Sequence, residues 1–167
     1  MEAPNIIAPS LAMCAKELRR LHLEHLRGIS TMPDYELQSI AKGKTYKLKT
    51  TNGITAAICD LVKYYGGDAN RINTAGRKIK KNGIEIYIPS ATKRGTPDID
   101  IVYKGRAIKV EVKNTYTKDK LSPDQVKRRA ALEAAGAIYV VAADFPQFYC
   151  WWMEHIGQSI GVKNNIQ

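Results

Sequence analysis

The sequence has few cysteines and spaces them widely. Cys14, Cys59 and Cys150 form no Cys-x-x-Cys pair and no other zinc-binding spacing. An odd and scattered set also provides no disulfide framework, so we expect reduced, mostly buried thiols. The pattern therefore excludes a zinc-ribbon protein and a small disulfide-stabilised secreted domain.

Long apolar runs are missing as well. No stretch approaches the roughly 18 consecutive apolar residues that a membrane span needs. The first four residues, Met-Glu-Ala-Pro, lack the basic and then apolar layout of a signal peptide. We therefore expect a cytoplasmic protein of bacterial, archaeal or phage origin, with no membrane partner and no nucleotide cofactor.

Acidic residues are scarce compared with basic ones. The chain has 16 Asp and Glu against 26 Lys and Arg, which gives a formal net charge of +10. Between residues 71 and 94 seven basic residues accompany a single acid, Glu85. These are Arg71, Arg77, Lys78, Lys80, Lys81, Lys93 and Arg94. A polyanion partner is favoured, and nucleic acid is the commonest one; DNA is the partner we expect.

Two short segments after this basic region alternate apolar and polar residues. Residues 99–103 read Ile-Asp-Ile-Val-Tyr, and residues 106–112 read Arg-Ala-Ile-Lys-Val-Glu-Val. Period-two alternation predicts strands with one buried face, and Lys104-Gly105 between them predicts a two-residue hairpin turn. That turn places Ile99 opposite Val110 and Ile101 opposite Ile108 on the core face.

The same register collects charge on the other face of the hairpin. It places Asp100 opposite Lys109 and Asp98 opposite Glu111, with Lys113 two residues further on. Two carboxylates this close repel each other unless positive charge lies between them, and carboxylate oxygens suit Mg²⁺ or Mn²⁺. A divalent-metal site is one interpretation, and a solvated sheet face with incidental charges is the other.

These residues resemble a known family. Pro97-Asp98 followed by Glu111-Val112-Lys113 matches the motif of the PD-(D/E)xK nucleases. The fuller string, from Gly95-Thr96 through the same motif to Gln125, is similar to the VRR-NUC branch and to archaeal-type Holliday junction resolvases. The resemblance spans about residues 50–157. It implies an α/β, restriction-endonuclease-like core of order α-β-β-β-α-β, a mixed sheet flanked by helices, with an added helical N-terminal segment.

The resemblance also implies roles for individual residues. Asp98 and Glu111 would bind Mg²⁺, for which Mn²⁺ can substitute, with the backbone carbonyl of Val112 as a third ligand. Lys113 would position the attacking water or stabilise the transition state. Gln125 would orient Lys113 or the phosphate. One family feature is absent, because no acid stands near the start of the preceding helix, where this chain has Asn52.

Gln125 also has a structural role open to it. Ser122, Pro123 and Gln125 form the pattern of a capping box at a helix start. Small and apolar residues at Val126, Ala130 and Ala134 predict the face by which this helix lies on the sheet. Helix capping and the role at the site that the resemblance implies are therefore both open to Gln125.

The basic residues nearest the motif are the candidate DNA-binding set. They are Arg71, Arg77, Lys93, Arg94, Lys127 and Arg128. Asn82-Gly83 predicts a tight turn within the basic region, so a hairpin with a basic rim is expected there. Such a rim could follow phosphates, or it could be a solvated edge protected by lysines.

The predicted organisation is a helical extension over residues 1–48, a nuclease domain over 49–160 and a loose tail over 161–167. Within the extension, Ser10 predicts a helix start and Gly28 its end after about Arg27. The function expected from motif and charge is Mg²⁺-dependent endonuclease cleavage of branched or junction DNA, in DNA repair or recombination. The alternatives are a homodimeric Holliday junction resolvase and a catalytically silent DNA-binding module on the same fold.

Overall fold

The computed structural model describes residues 9–73, 76–88, 92–117 and 119–156, without the side chains of Arg77 and Tyr116. The helices in these ranges are α1 (Leu11–Ile29), α2 (Asp34–Gly43), α3 (Thr51–Tyr64), α4 (Pro123–Ala134) and α5 (Phe145–His155). The strands are β1 (Asp68–Arg71), β2 (Arg77–Lys81), β3 (Ile84–Ile88), β4 (Ile99–Tyr103), β5 (Arg106–Val112) and β6 (Ile138–Ala142). The predicted tail over 161–167 lies outside the described residues.

A four-stranded mixed sheet organises the chain. Its strand order is β1-β4-β5-β6, with antiparallel pairing except for the parallel pair β5-β6. The helix α4 provides the crossover between these two parallel strands, as parallel pairing requires. Taken in chain order, α3-β1-β4-β5-α4-β6 is the α-β-β-β-α-β arrangement that the sequence predicts. The hairpin β2-β3 is inserted between β1 and β4 as a separate two-stranded sheet.

The hairpin between β4 and β5 has the predicted register. Ile99 lies opposite Val110, Ile101 opposite Ile108, and Asp100 opposite Lys109. Lys104 and Gly105 both have positive φ, 46° and 74°, as a type I′ turn requires. The turn therefore decides which face each residue of these strands occupies.

The apolar face of the sheet packs under α3 and α5, and α1 packs on these two helices, in one continuous core. Ile58 of α3 and Phe148 and Trp152 of α5 are fully buried, and the Trp152 ring lies 5.2 Å from that of Tyr103. The helix α1 contributes Leu18 to the same core. The N-terminal helix is therefore part of the packing that holds the sheet, although the division at residue 48 stays a prediction.

The first helix does not end at Gly28 as predicted. It continues to Ile29, and the N–H of Ser30 closes it by donating to Leu26 O at 3.0 Å. A glycine ends a helix readily when it adopts positive φ, and Gly28 does not. In a helical conformation glycine costs only about 1 kcal/mol relative to alanine, so a glycine without positive φ does not by itself end a helix.

The helix α4 lies on the opposite face of the sheet, and its predicted inward face is wrong. Val126 is 53% exposed, and Ala130 and Ala134 are exposed as well. The half-buried residues of this helix are Gln125, Arg128, Arg129 and Leu132. Long polar side chains face inward because the sheet surface beneath them carries charged and polar groups, including Glu111, Lys109 and Tyr139.

None of the described helices combines the length and hydropathy that crossing a bilayer requires.

The three cysteines are free, with Cys14 buried and Cys59 and Cys150 half-buried. Burial raises the pKa of Cys14 and of Cys59 to about 11, so these thiols are protonated at neutral pH.

The start of α3 depends on a close backbone approach at Gly53. Thr50 caps the helix by accepting a hydrogen bond from Gly53 N at 3.1 Å, and its hydroxyl donates to Lys47 O at 2.9 Å. A Cβ at Gly53 would lie 2.1 Å from Lys47 O. The chain before α3 can therefore fold back onto the first helical turn only if this position has no side chain.

We expect Gly53→Ala to lower the free energy of unfolding by roughly 1–3 kcal/mol, because the Lys47 carbonyl must move to make room. Gly43 is the matched control, because it also lies in a helix but a Cβ there meets nothing within 4 Å. Gly43→Ala should leave stability unchanged or raise it by up to about 1 kcal/mol. Urea unfolding of the two variants measures the difference, and equal midpoints would contradict the close approach.

Candidate active site

Asp98 is held at the N-terminal end of β4 by two backbone contacts. Its carbonyl accepts a hydrogen bond from Ile72 N at 2.8 Å, which extends the pairing with β1. Its carboxylate oxygen Oδ2 accepts from Val112 N at 2.9 Å. The side chain therefore reaches across the hairpin to the end of β5, beyond the last ladder pair of Ile99 with Val110.

Glu111 is the buried acid of the site, with a relative exposure of 2%. Its Oε1 accepts a hydrogen bond from Gln125 Nε2 at 2.5 Å, and its Oε2 has no partner among the described residues. Burial first, and then the negative charge of Asp98, raise the pKa of Glu111 to about 7, although Lys113 acts in the opposite direction. An ionised carboxylate in this position is stable only with positive charge close to it.

Lys113 supplies part of that charge. Its Nζ lies 3.3 Å from Glu111 Oε1 and 3.2 Å from Asp119 Oδ2. Burial favours the neutral amine, but the hydrogen bonds and charges of Asp119 and Glu111 outweigh it, so the pKa of Lys113 is raised. The backbone holds the residue in place, because Lys113 N donates to Ala142 O at 2.9 Å and continues the pairing with β6.

Gln125 caps its helix as predicted, and its side chain also contacts Glu111. Its backbone N–H and its Oε1 complete the capping box with Ser122, at 3.3 Å and 2.8 Å. Its Nε2 donates to Glu111 rather than to Lys113. The capping bond fixes the orientation of the amide, and this orientation is what directs the NH₂ group towards the carboxylate.

Two further residues at the site carry no signal in the sequence. Asp119 stands in a polar loop, and only folding brings it to Lys113. Tyr139 lies in the apolar run of β6 opposite Lys109, and its hydroxyl is buried with no partner among the described residues. Burial, and then the charge of Glu111, raise the pKa of Tyr139 to about 12. Neither belongs to a spacing pattern, so sequence reasoning had no means of finding them.

The donor set fits a hard divalent cation. The charge of Asp98 acts on Glu111, and one oxygen of Glu111 is buried with no partner in the described part of the chain. The described residues include no cluster of three or more His, Cys, Asp or Glu suited to a metal. Mg²⁺ commonly takes one or two protein carboxylates and completes its shell with water and phosphate. The Val112 carbonyl stays a predicted ligand; the N–H of that residue is already bonded to Asp98.

Two of the predicted DNA-binding residues lie at this site. Lys93 and Arg94 are exposed on the loop before β4, and they line an open groove of about 460 Å³ together with Asp98 and Gln125. Lys127 is exposed on α4. Lys93 and Arg94 are therefore available to phosphates beside the carboxylates, whereas Lys127 does not line this groove.

The remaining predicted DNA-binding residues lie elsewhere or outside the described part. Arg71 donates to Asn52 Oδ1 at 2.8 Å, so the side-chain amide of Asn52 at the start of α3 is hydrogen-bonded to the Arg71 guanidinium. Arg128 is half-buried over the sheet and lines a cavity of about 100 Å³ with Asp100 and Lys109. The side chain of Arg77 is not among those described.

Comparison with known proteins gives a likeness in fold. No protein-family model matches the chain, and no curated protein matches it. A solved structure described as a VRR_NUC domain is similar to 67% of this chain and to 99% of its own length, with 21% identity and a TM-score of 0.39. A likeness of this degree concerns the fold alone.

The raised pKa of Glu111 predicts a pH-dependent stability of the metal-free protein. Between pH 4.5 and about 7 the folded state holds a proton that the unfolded chain has released, so the unfolding free energy falls as pH rises. The loss is about 3 kcal/mol over this window, because each pKa unit is worth about 1.4 kcal/mol. Glu111→Gln should remove that fall. Denaturant unfolding in EDTA across this range measures it, and identical slopes in both proteins would contradict the burial of the carboxylate.

Proposed function

We propose that this protein is a Mg²⁺-dependent endonuclease that hydrolyses phosphodiester bonds in DNA. One observation carries the proposal: Asp98, Glu111, Lys113 and Gln125 come together at the ends of β4, β5 and α4, and the buried carboxylate of Glu111 keeps one oxygen without a partner among the described residues. A purely structural sheet face would not keep a carboxylate buried and incompletely paired, because such a group costs stability.

Asp98 and Glu111 would hold the cation, with the Val112 carbonyl as a third ligand. A bound divalent ion lowers the pKa of its water and neutralises charge on the scissile phosphate. Gln125 keeps the carboxylate of Glu111 in place through Oε1 and leaves Oε2 for the ion. The hydrogen bond from Val112 N fixes Asp98 in the same way.

Lys113 would provide the positive charge that acts on the substrate. Its side chain is only 12% exposed, and its ammonium group already lies between two carboxylates, so it stays charged at neutral pH. A charged donor fixed beside the ion can position the attacking water and stabilise the extra negative charge of the pentavalent transition state. Asp119 would hold Lys113 in this position from the side away from the sheet.

The substrate we propose is branched or junction DNA, which would place the enzyme in repair or recombination. The net charge of +10 supports a polyanionic substrate. Lys93 and Arg94 stand immediately before Asp98, where they can bind the phosphates that flank the cleaved one. Paired cuts by a homodimer would make the protein a Holliday junction resolvase.

A second candidate function is a DNA-binding module without turnover. One contact favours it: at the start of α3, Asn52 is bonded to Arg71, where the related nucleases have an acid that helps the metal site. This chain would then bind DNA through the same basic surface and cleave none. Cleavage assays on a panel of substrates separate the two functions.

We expect Mg²⁺- or Mn²⁺-dependent nicking of labelled junction, flap or duplex DNA by the wild-type protein. Asp98→Asn, Glu111→Gln and Lys113→Ala should each lower the cleavage rate by about a hundredfold or more, because the first two weaken the hold on the metal ion and the third removes a positive charge that acts on the transition state. DNA binding should persist in the two carboxamide variants, since neither removes a phosphate contact.

Asp100→Asn is the matched control for these variants. Asp100 lies two residues after Asp98 on the same strand, it is paired with Lys109, and asparagine can still accept that hydrogen bond. Its cleavage rate should remain close to that of the wild type. Normal cleavage by Asp98→Asn, Glu111→Gln or Lys113→Ala would refute the assignment, and binding of all substrates with cleavage of none would establish the binding module.

Metal binding should be visible without any turnover. At a Mg²⁺ or Mn²⁺ concentration about a hundred times the Kd, the ion stabilises the folded state by about 2.7 kcal/mol, which raises the Tm by roughly 5–10 °C. Glu111→Gln should show little of this shift. Calorimetry with and without the ion measures it, and equal shifts in both proteins would show that the ion binds elsewhere.

A further inference from the structure

The open groove beside the carboxylates has an aromatic end. It lies between the loop 92–96 and the first turn of α4, and it extends from Asp98 and Gln125 to Tyr87 of the inserted hairpin. Its volume of about 460 Å³ falls within the range of small-molecule sites. The groove is therefore large enough for a part of the substrate, and it is continuous with the candidate active site.

The loop 92–96 forms one wall of the groove, and close contacts hold it in place. Gly95 has a φ of +73°, and a Cβ there would lie 2.3 Å from Asp124 O, so the loop is pressed against the N-terminal turn of α4. Thr96 closes the turn by donating to Lys93 O from its N–H at 3.2 Å and from its hydroxyl at 2.6 Å. Lys93 and Arg94 are consequently presented from a defined turn.

Tyr87 is exposed although part of its ring is anchored. A Cβ at Gly76 would lie 2.2 Å from the Tyr87 hydroxyl oxygen, which shows that the end of the ring lies on the glycine backbone. The side chain is nevertheless 63% exposed. An aromatic ring with an accessible surface beside two cations is the arrangement by which proteins stack single-stranded nucleic acid.

We propose that the groove binds an unpaired nucleotide adjacent to the cleaved phosphate, with its base stacked on Tyr87 and its phosphate bound by Lys93 and Arg94. The adjacency rests on the proposed nuclease function, because Asp98 defines where cleavage occurs. Asp98 and Asp124 also line the groove and repel a phosphate, so the phosphate contacts belong to the two basic residues.

The stacked base defines the substrate class. In a continuous duplex each base is covered on both faces by its neighbours, and a protein ring can reach it only after unstacking. A nucleotide at a bulge, flap or branch point is unpaired already, so this cost is small. The groove therefore selects DNA with an unpaired nucleotide beside the cut, and this preference arises from Tyr87 rather than from the metal site.

The test measures binding in EDTA, so that no cleavage takes place. Two probes are compared by fluorescence anisotropy: a duplex with one unpaired thymidine, and the same duplex with an abasic residue at that position, which keeps the phosphate but has no base. We expect the wild type to bind the thymidine probe more tightly by a factor of about 5 to 150, the usual range for stacking on an aromatic side chain. Tyr87→Phe should keep this preference, and Tyr87→Leu should abolish it.

Tyr35 is the matched control, because it is a tyrosine 72% exposed on α2 that does not line the groove. Tyr35→Leu should bind both probes as the wild type does. Equal affinity of the wild type for the two probes, or a preference that survives Tyr87→Leu, would overturn the proposal. If the wild type cleaves no DNA in Mg²⁺ but prefers the thymidine probe, the nuclease function is refuted and the nucleotide site is supported. If the wild type cleaves DNA but shows no preference between the probes, the nucleotide site is refuted and the nuclease function is supported.

Discussion

The burial of the Glu111 carboxylate under α4 is the constraint on which the rest of this face depends. A carboxylate that is 2% exposed needs hydrogen-bond donors and positive charge close by, since water no longer provides them. Gln125 provides one donor from above and Lys113 provides charge from the same strand. The remaining oxygen has no partner among the residues that the structure describes, and under the proposed function a cation would satisfy it.

One face of the sheet stabilises the fold, and the other carries the candidate active site. The face under α3 and α5 is apolar and continuous, and it supplies the burial that holds the strands in register. The face under α4 carries polar and charged groups, which stabilise a fold less effectively. A polar face can be tolerated because the other face is well packed, and the rigid strands then keep Asp98 and Glu111 in a fixed relation.

The inserted hairpin β2-β3 has a different energetic character. A two-stranded sheet is marginally stable by itself, and Ile84 and Ile86 of its second strand are exposed. Stabilisation has to come from contacts at its base, such as that of Tyr87 with Gly76. The second strand of this hairpin exposes aromatic and apolar side chains beside a basic loop. Under the proposed nucleotide site, bound DNA would cover part of this surface.

Sequence reasoning succeeds where the interactions are local. The alternation of residues 99–112 and the turn at Lys104-Gly105 predict the β4-β5 register correctly, because a two-residue turn leaves one pairing. The capping box of Ser122 with Gln125 is equally local, and it is present as predicted. The α-β-β-β-α-β order follows from the same patterns together with the motif.

It fails where a residue's environment is created by a distant segment. The inward face of α4 could not be read from its apolar residues, because that helix covers a polar surface and turns Gln125 and Arg128 towards it. Asp119, Tyr139 and Tyr87 reach the site only through long-range packing. The sequence by itself thus determined the strand register, and with it that Asp98 and Glu111 form a neighbouring pair. The reason is that turn chemistry and side-chain alternation act over a few residues. The tertiary structure alone decided what surrounds that pair, because this depends on how helix, loop and hairpin pack onto the sheet.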